Sequence, residues 1–144
     1  MSKSLADKVV EWALGQEEFA GYTVERHVDL KGQKKGIVYR ADILLRRLSR
    51  LSFLIRGGPL SGSAVAITLA KGSSPVTARD VVGVQRMAAD VIAAVMKGRE
   101  GCPVKLWIHV STQPFEEDAR GLAGQMRLVW FGRMDGEGNV EQVC

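Results

Sequence analysis

The sequence predicts an α/β fold, a mixed β-sheet flanked by helices. Three observations point to it. The chain opens on an amphipathic helical stretch, and three β-branched, strand-like segments separated by glycine-rich turns follow. Helix, strand, helix and strand then alternate to the end, the order that places helices on both faces of a sheet. With 144 residues the chain fits one domain, 1–144, with a single core. Apolar residues make up 46% and charged residues 25%, which excludes the disordered and collagen-like classes.

The elements follow in order. Ser4 is the expected N-cap of a helix whose apolar residues Leu5, Val9, Trp12 and Ala13 recur at helical spacing. Gly15 or Gly21 ends it. Tyr22–Leu30 and Ile37–Leu45 read as two strands around the polar turn Lys31–Gly36, a hairpin. Arg46–Arg50 reads as a loop or an irregular extension. Leu51–Ile55 and Ala64–Leu69 are strand-like, with Gly57, Gly58, Pro59 and Gly62 turning between them.

Thr77 opens the next helix, with Asp80 at capping-box spacing and Val81, Val84, Ala88, Val91 and Val95 on one face. That helix should end at Lys97-Gly98. Val104, Leu106, Ile108 and Val110 alternate with Lys105, Trp107 and His109, the pattern of a half-buried strand. Ser111 or Thr112 should cap a further helix carrying Phe115, Ala119, Leu122, Ala123 and Met126. Leu128–Phe131 is a last short strand before a polar, glycine-rich tail.

The formal charge is +4, and its distribution tells more than its size. Residues 26–56 hold nine basic groups against two acidic ones and carry +7, while the remainder carries −3. Within that block Lys31, Lys34, Lys35, Arg46, Arg47 and Arg50 fall at strand ends or connections, where they suit a phosphate backbone. The bland alternative is a solvated rim that blunts edge strands. Cys102 and Cys144 form neither a disulfide framework nor a C-x-x-C pair. His27 and His109 stand alone, which argues against zinc. Trp12, Trp107 and Trp130 read as packing aromatics. No signal-peptide core and no membrane-spanning run is present, so a cytoplasmic protein is the expectation.

Local sequences add a resemblance. Gly21-Tyr22-Thr23-Val24-Glu25 resembles the opening of Mrr-type restriction endonucleases, Tyr39–Leu44 resembles the strand bearing a metal-binding aspartate, and Trp107–Ala119 is similar to a strand-turn-helix segment of the same group. Together with the element order, these resemble the PD-(D/E)xK restriction-endonuclease-like nucleases. The resemblance implies an αβββαβ core, a metal-dependent endonuclease acting on DNA, Mg²⁺ or Mn²⁺ as cofactor, and a homodimer.

It further implies Asp42 as metal ligand and Lys71 as the motif lysine. The motif acid falls on Leu69 of Leu69-Ala70-Lys71, which carries no carboxylate. Mg²⁺ takes one or two carboxylates with water and phosphate, and the lysine would orient the nucleophile or offset developing charge. Glu11, Glu25 and Asp80 are candidate substitutes for the missing acid, and Gln85 offers a neutral oxygen. Each also has an ordinary reading as a surface or ion-paired group. Three outcomes stay open: phosphodiester hydrolysis with a displaced acid, a catalytically inactive relative that binds nucleic acid or serves as a subunit, or an interaction module whose basic loops meet an acidic partner.

Overall fold

Ser4 caps the first helix as its position predicts, its hydroxyl accepting the Asp7 N–H at 3.2 Å. The computed structural model describes residues 4–34, 36–48, 62–70, 72–96 and 104–143. Helix α1 spans Leu5–Leu14 and is followed by a 3₁₀ turn, Glu17–Phe19. Strands β1 (Thr23–Lys31), β2 (Val38–Leu48) and β3 (Gly62–Leu69) precede helix α2, Ala78–Met96. Strand β4 (Val104–Ser111), helix α3 (Glu117–Gln125), β5 (Val129–Met134) and β6 (Val140–Gln142) complete the order.

The six strands form one mixed sheet in the order β1-β2-β3-β4-β5-β6. β1, β2 and β3 pair antiparallel, β3, β4 and β5 pair parallel, and β6 returns antiparallel on β5. The α/β class is thus as expected, with helices on both faces.

Several expectations need correction. Of the loop or irregular extension expected over Arg46–Arg50, the described part is an extension: Arg46, Arg47 and Leu48 continue β2 in regular pairing with Ala64, Ser63 and Gly62. The strand expected over Leu51–Ile55 and the helix end at Lys97-Gly98 lie outside the described residues. α3 begins at Glu117, well beyond Ser111 and Thr112. Ser111 still belongs to β4, and its hydroxyl engages Gln113 N–H and C=O. Val76 and Phe115 then form a parallel bridge, which holds the segment extended until the helix starts. The polar tail folds back as β6, which no apolar run announces.

The strand β4 is not half-buried. Lys105 is exposed, but Trp107 and His109 are buried like Ile108 and Val110. A parallel strand covered on both faces loses its alternation. One face packs Val65, Ile67, Ile108 and Val110 with Val9 and Ala13 of α1. The other packs Ala64, Ala66 and Trp107 with Val81, Val84, Ala88 and Val91 of α2 and Ala119 and Ala123 of α3. Trp12 stacks on Trp130 on the α1 side, ring centroids 5.7 Å apart.

The β1–β2 hairpin changes face part-way along. The pairs Arg26↔Ile43 and Val28↔Ala41 set His27 opposite Asp42. His27 has φ of 53°, a left-handed conformation that a β-carbon disfavours. Before this pair, Val24, Ile43 and Leu45 join the α1 cluster; beyond it, Val28, Leu30, Tyr39 and Ala41 join the α2 cluster. Strict alternation would keep Ala41 and Ile43 on one face. The hairpin therefore turns over at His27 and Asp42, and its far half lies on α2.

A carboxylate holds that half down. Asp90 of α2 accepts the Tyr39 O–H at 2.7 Å and the Gln33 N–H at 3.1 Å. A β-carbon at Gly32 would strike the same carboxylate, so the turn needs glycine there. Tyr39→Phe removes one of the two bonds without removing the ring. It should lower stability by about 1 kcal/mol in urea unfolding and speed amide exchange at Gln33, while leaving exchange in β4 unchanged.

Candidate functional site

At the C-terminal ends of β3 and β4 the crossover helix α2 begins, and a cleft of about 400 Å³ opens between them. Leu69, Val84, Met87 and His109 line it, with Arg79 and Asp80 contributed by the first turn of α2. That turn is closed by a reciprocal cap: the Thr77 N–H donates to Asp80 Oδ2 at 3.0 Å, and the Asp80 N–H to Thr77 Oγ1 at 3.3 Å. The walls are tied by the Ala70 N–H bond to Val110 and by the Val76–Phe115 bridge.

Asp42 stands at the edge of this region. The β2–β3 ladder ends at Ile43↔Ile67, where the hairpin turns away. Beyond it the Leu69 N–H donates to Asp42 Oδ2 at 2.8 Å. A carboxylate here replaces the ladder partner that the departing strand withdraws. Leu69 itself packs against the α1-side cluster, so the motif position touches Asp42 through its backbone and brings no second acid.

Beneath the cleft lies a buried polar chain. Register places Thr68 beside His109. Trp107 Nε1–H donates to Thr68 Oγ1 at 3.1 Å, and Thr68 Oγ1 lies 2.7 Å from His109 Nδ1. Burial pushes the His109 pKa down to about 4, against the negative charges of Asp42 and Asp80, which favour the imidazolium. The ring is neutral at pH 7. Thr68 and His109 escape a sequence reading because only the β3–β4 register joins them; the Trp-x-His spacing on one strand was the available signal.

The other candidates are scattered. Glu25 pairs with Arg46, Oε2 to Nη2 at 3.3 Å. Glu11 is exposed on α1 and lines a different shallow groove with Trp12 and the β5–β6 turn. Gln85 is half-buried on α2, and its Oε1 has no hydrogen-bond partner among the described residues. Of the acids considered beside Asp42, only Asp80 acts with it on the His109 ring. Lys71, Lys35 and Arg50 lie outside the described residues. Among the described residues no three His, Cys, Asp or Glu side chains cluster as a metal centre.

The basic block divides. Lys31 and Lys34 are exposed at the hairpin's turn, whereas Arg46 and Arg47 belong to its other end, where Thr23 pairs with Arg46. Eight strand residues separate the two ends, about 27 Å if fully extended. Part of the charge is already matched. Arg26 pairs with Asp7 at 2.7 Å and Arg40 with Asp29 at 3.3 Å, besides Arg46 with Glu25.

No family model matches the sequence, and no curated protein matches it. Among solved structures, the chain is similar to a crystal structure of a protein of unknown function, AF1548, at a TM-score of 0.50 and 12% identity. The match covers 91% of this chain and 57% of that one. It concerns the fold alone. Among the described residues, no helix is long and apolar enough to cross a membrane.

The buried imidazole makes stability depend on pH in a defined window. Between pH 6.5 and about 4 the unfolded chain binds a proton at His109 that the folded chain does not, so stability falls as pH falls. Asp7, Asp90 and Asp135 have pKa values lowered by their hydrogen bonds, so they act from the ordinary carboxylate range downward, at lower pH than His109. Denaturant unfolding should give a protein about 2 kcal/mol less stable at pH 5 than at pH 7. His109→Phe should flatten most of that slope.

Proposed function

We propose that this chain is a restriction-endonuclease-like protein that binds DNA and hydrolyses its phosphodiester bonds with Mg²⁺ or Mn²⁺. The observation that carries the reading is the 2.8 Å bond between Asp42 and the Leu69 amide. It brings the aspartate of one strand onto the very position at which the Leu69-Ala70-Lys71 segment begins. Support also comes from the α-β-β-β-α-β order and from the exposed lysines at the hairpin turn.

The residues fit a cation in part. Asp42 offers one carboxylate, and Asp42 and Asp80 both bear on the His109 ring. Mg²⁺ accepts so few protein ligands because water and substrate phosphate complete its shell. A bound cation would polarise the phosphate and lower the pKa of a water. Lys31 and Lys34 would hold the backbone without reading sequence, and two copies of the chain would act together, as the resemblance implies.

A second reading has its own observation. Leu69 contributes no carboxylate, and its side chain is packed toward α1. On that reading the chain binds nucleic acid, or serves as a subunit, without cutting.

Supercoiled plasmid incubated with Mg²⁺ or Mn²⁺ separates the two. Nicking by the native chain should fall at least about a hundredfold in Asp42→Asn, which keeps an acceptor for the Leu69 N–H but removes the charge. Equal nicking by Asp42→Asn would sink the catalytic reading, and salt-dependent binding without nicking would establish the second. Lys34→Glu should weaken duplex binding and reduce its salt slope by about 1 to 2. Unchanged affinity would remove the hairpin from the interface.

A further inference from the structure

His109 is 7% exposed, yet its ring forms part of the cleft wall. The hydrogen bonds behind it decide which nitrogen carries the proton. Thr68 accepts from Trp107 Nε1–H and has a single proton of its own to give. Among the described residues the one acceptor it meets is His109 Nδ1. Thr68 therefore donates to Nδ1, and the neutral ring bears its hydrogen on Nε2. Nε2–H has no hydrogen-bond partner among the described residues. The residue as a whole is nine-tenths buried and lines an open space of about 400 Å³, and Nε2–H is the donor its ring has left to offer.

The walls limit what belongs there. Val76, Val84 and Met87 make it largely apolar, and Asp80 adds an acceptor. Asp42 and Asp80 both place negative potential on the ring, which disfavours a bare anion inside. A flat, uncharged ring with an acceptor for Nε2–H and a donor for Asp80 matches the walls. Arg79, exposed on the first turn of α2, offers the rim a cation.

We propose that this cleft is a nucleotide site, in which a nucleobase lies against Val84 and Met87, accepts from His109 Nε2–H and leaves its phosphate at Arg79. The inference deepens the DNA reading and rests on it for the origin of the nucleotide: an unpaired or extruded base of the bound strand, read by its edge. His109 is then a positioning residue for that strand.

The test uses free nucleotides, so that it does not depend on duplex binding. The four deoxynucleoside 5′-monophosphates and inorganic phosphate are titrated separately into the full chain, following the His109 Nε2–H resonance by NMR. At least one nucleotide should shift that signal saturably, and inorganic phosphate should not. Gly83 lines the cleft, and a β-carbon there meets nothing within 4 Å. Gly83→Leu should fold and should weaken nucleotide binding by at least about tenfold. No shift at millimolar nucleotide, an equal shift from inorganic phosphate, or unchanged binding in Gly83→Leu would each overturn the inference. Nucleotide binding without any duplex binding would instead defeat only the DNA reading.

Discussion

The bond from the Leu69 amide to the Asp42 carboxylate settles where the hairpin parts from the sheet. Up to Ile43 and Ile67, β2 and β3 satisfy one another; past that pair the backbone needs another acceptor, and Asp42 provides it. Opposite, His27 takes a left-handed conformation and both strands exchange faces. The near half of the hairpin can then cover α1 while the far half covers α2. Without that reversal, Tyr39 could not reach Asp90 and the turn would carry Lys31 and Lys34 elsewhere.

Helix α2 serves two ends of this arrangement. Its middle anchors the hairpin through Asp90, and its first turn frames the cleft through Arg79 and Asp80. Along the helix Val81, Val84, Ala88 and Val91 bury the stripe that fixes it on β3 and β4. The polar chain of Trp107, Thr68 and His109 sits under that stripe with its internal bonds made. A chain of this kind is tolerated in a core because each buried group finds a partner. Its last member, His109, lines the cleft.

Much of the scaffold is written locally. Ser4, Thr77 and Asp80 announce their helix starts because capping depends on neighbours three residues away. What depends on distant pairing is not so written. Trp107 and His109 alternate with apolar residues as if exposed, and only the second helical layer reveals them as buried. Thr68 carries no local signal, since its significance lies in a β3–β4 register that no spacing encodes. The basic block looks continuous in sequence, yet antiparallel pairing sends its halves to opposite ends of one hairpin.

Asp42 shows why a candidate site residue need not have one cause. A neutral amide at the same place would accept the Leu69 N–H, so that bond explains an acceptor without explaining a charge. The charge has a neighbour that registers it: the His109 ring, which Asp42 and Asp80 both draw toward protonation while burial prevents it. Burial wins because the ring is shut off from water on the Thr68 side. A negative region beside a neutral donor is an environment for a cation at one point and an uncharged acceptor at the next. Substituting the charge and the bond separately at position 42 therefore probes chemistry and architecture as independent properties of one side chain.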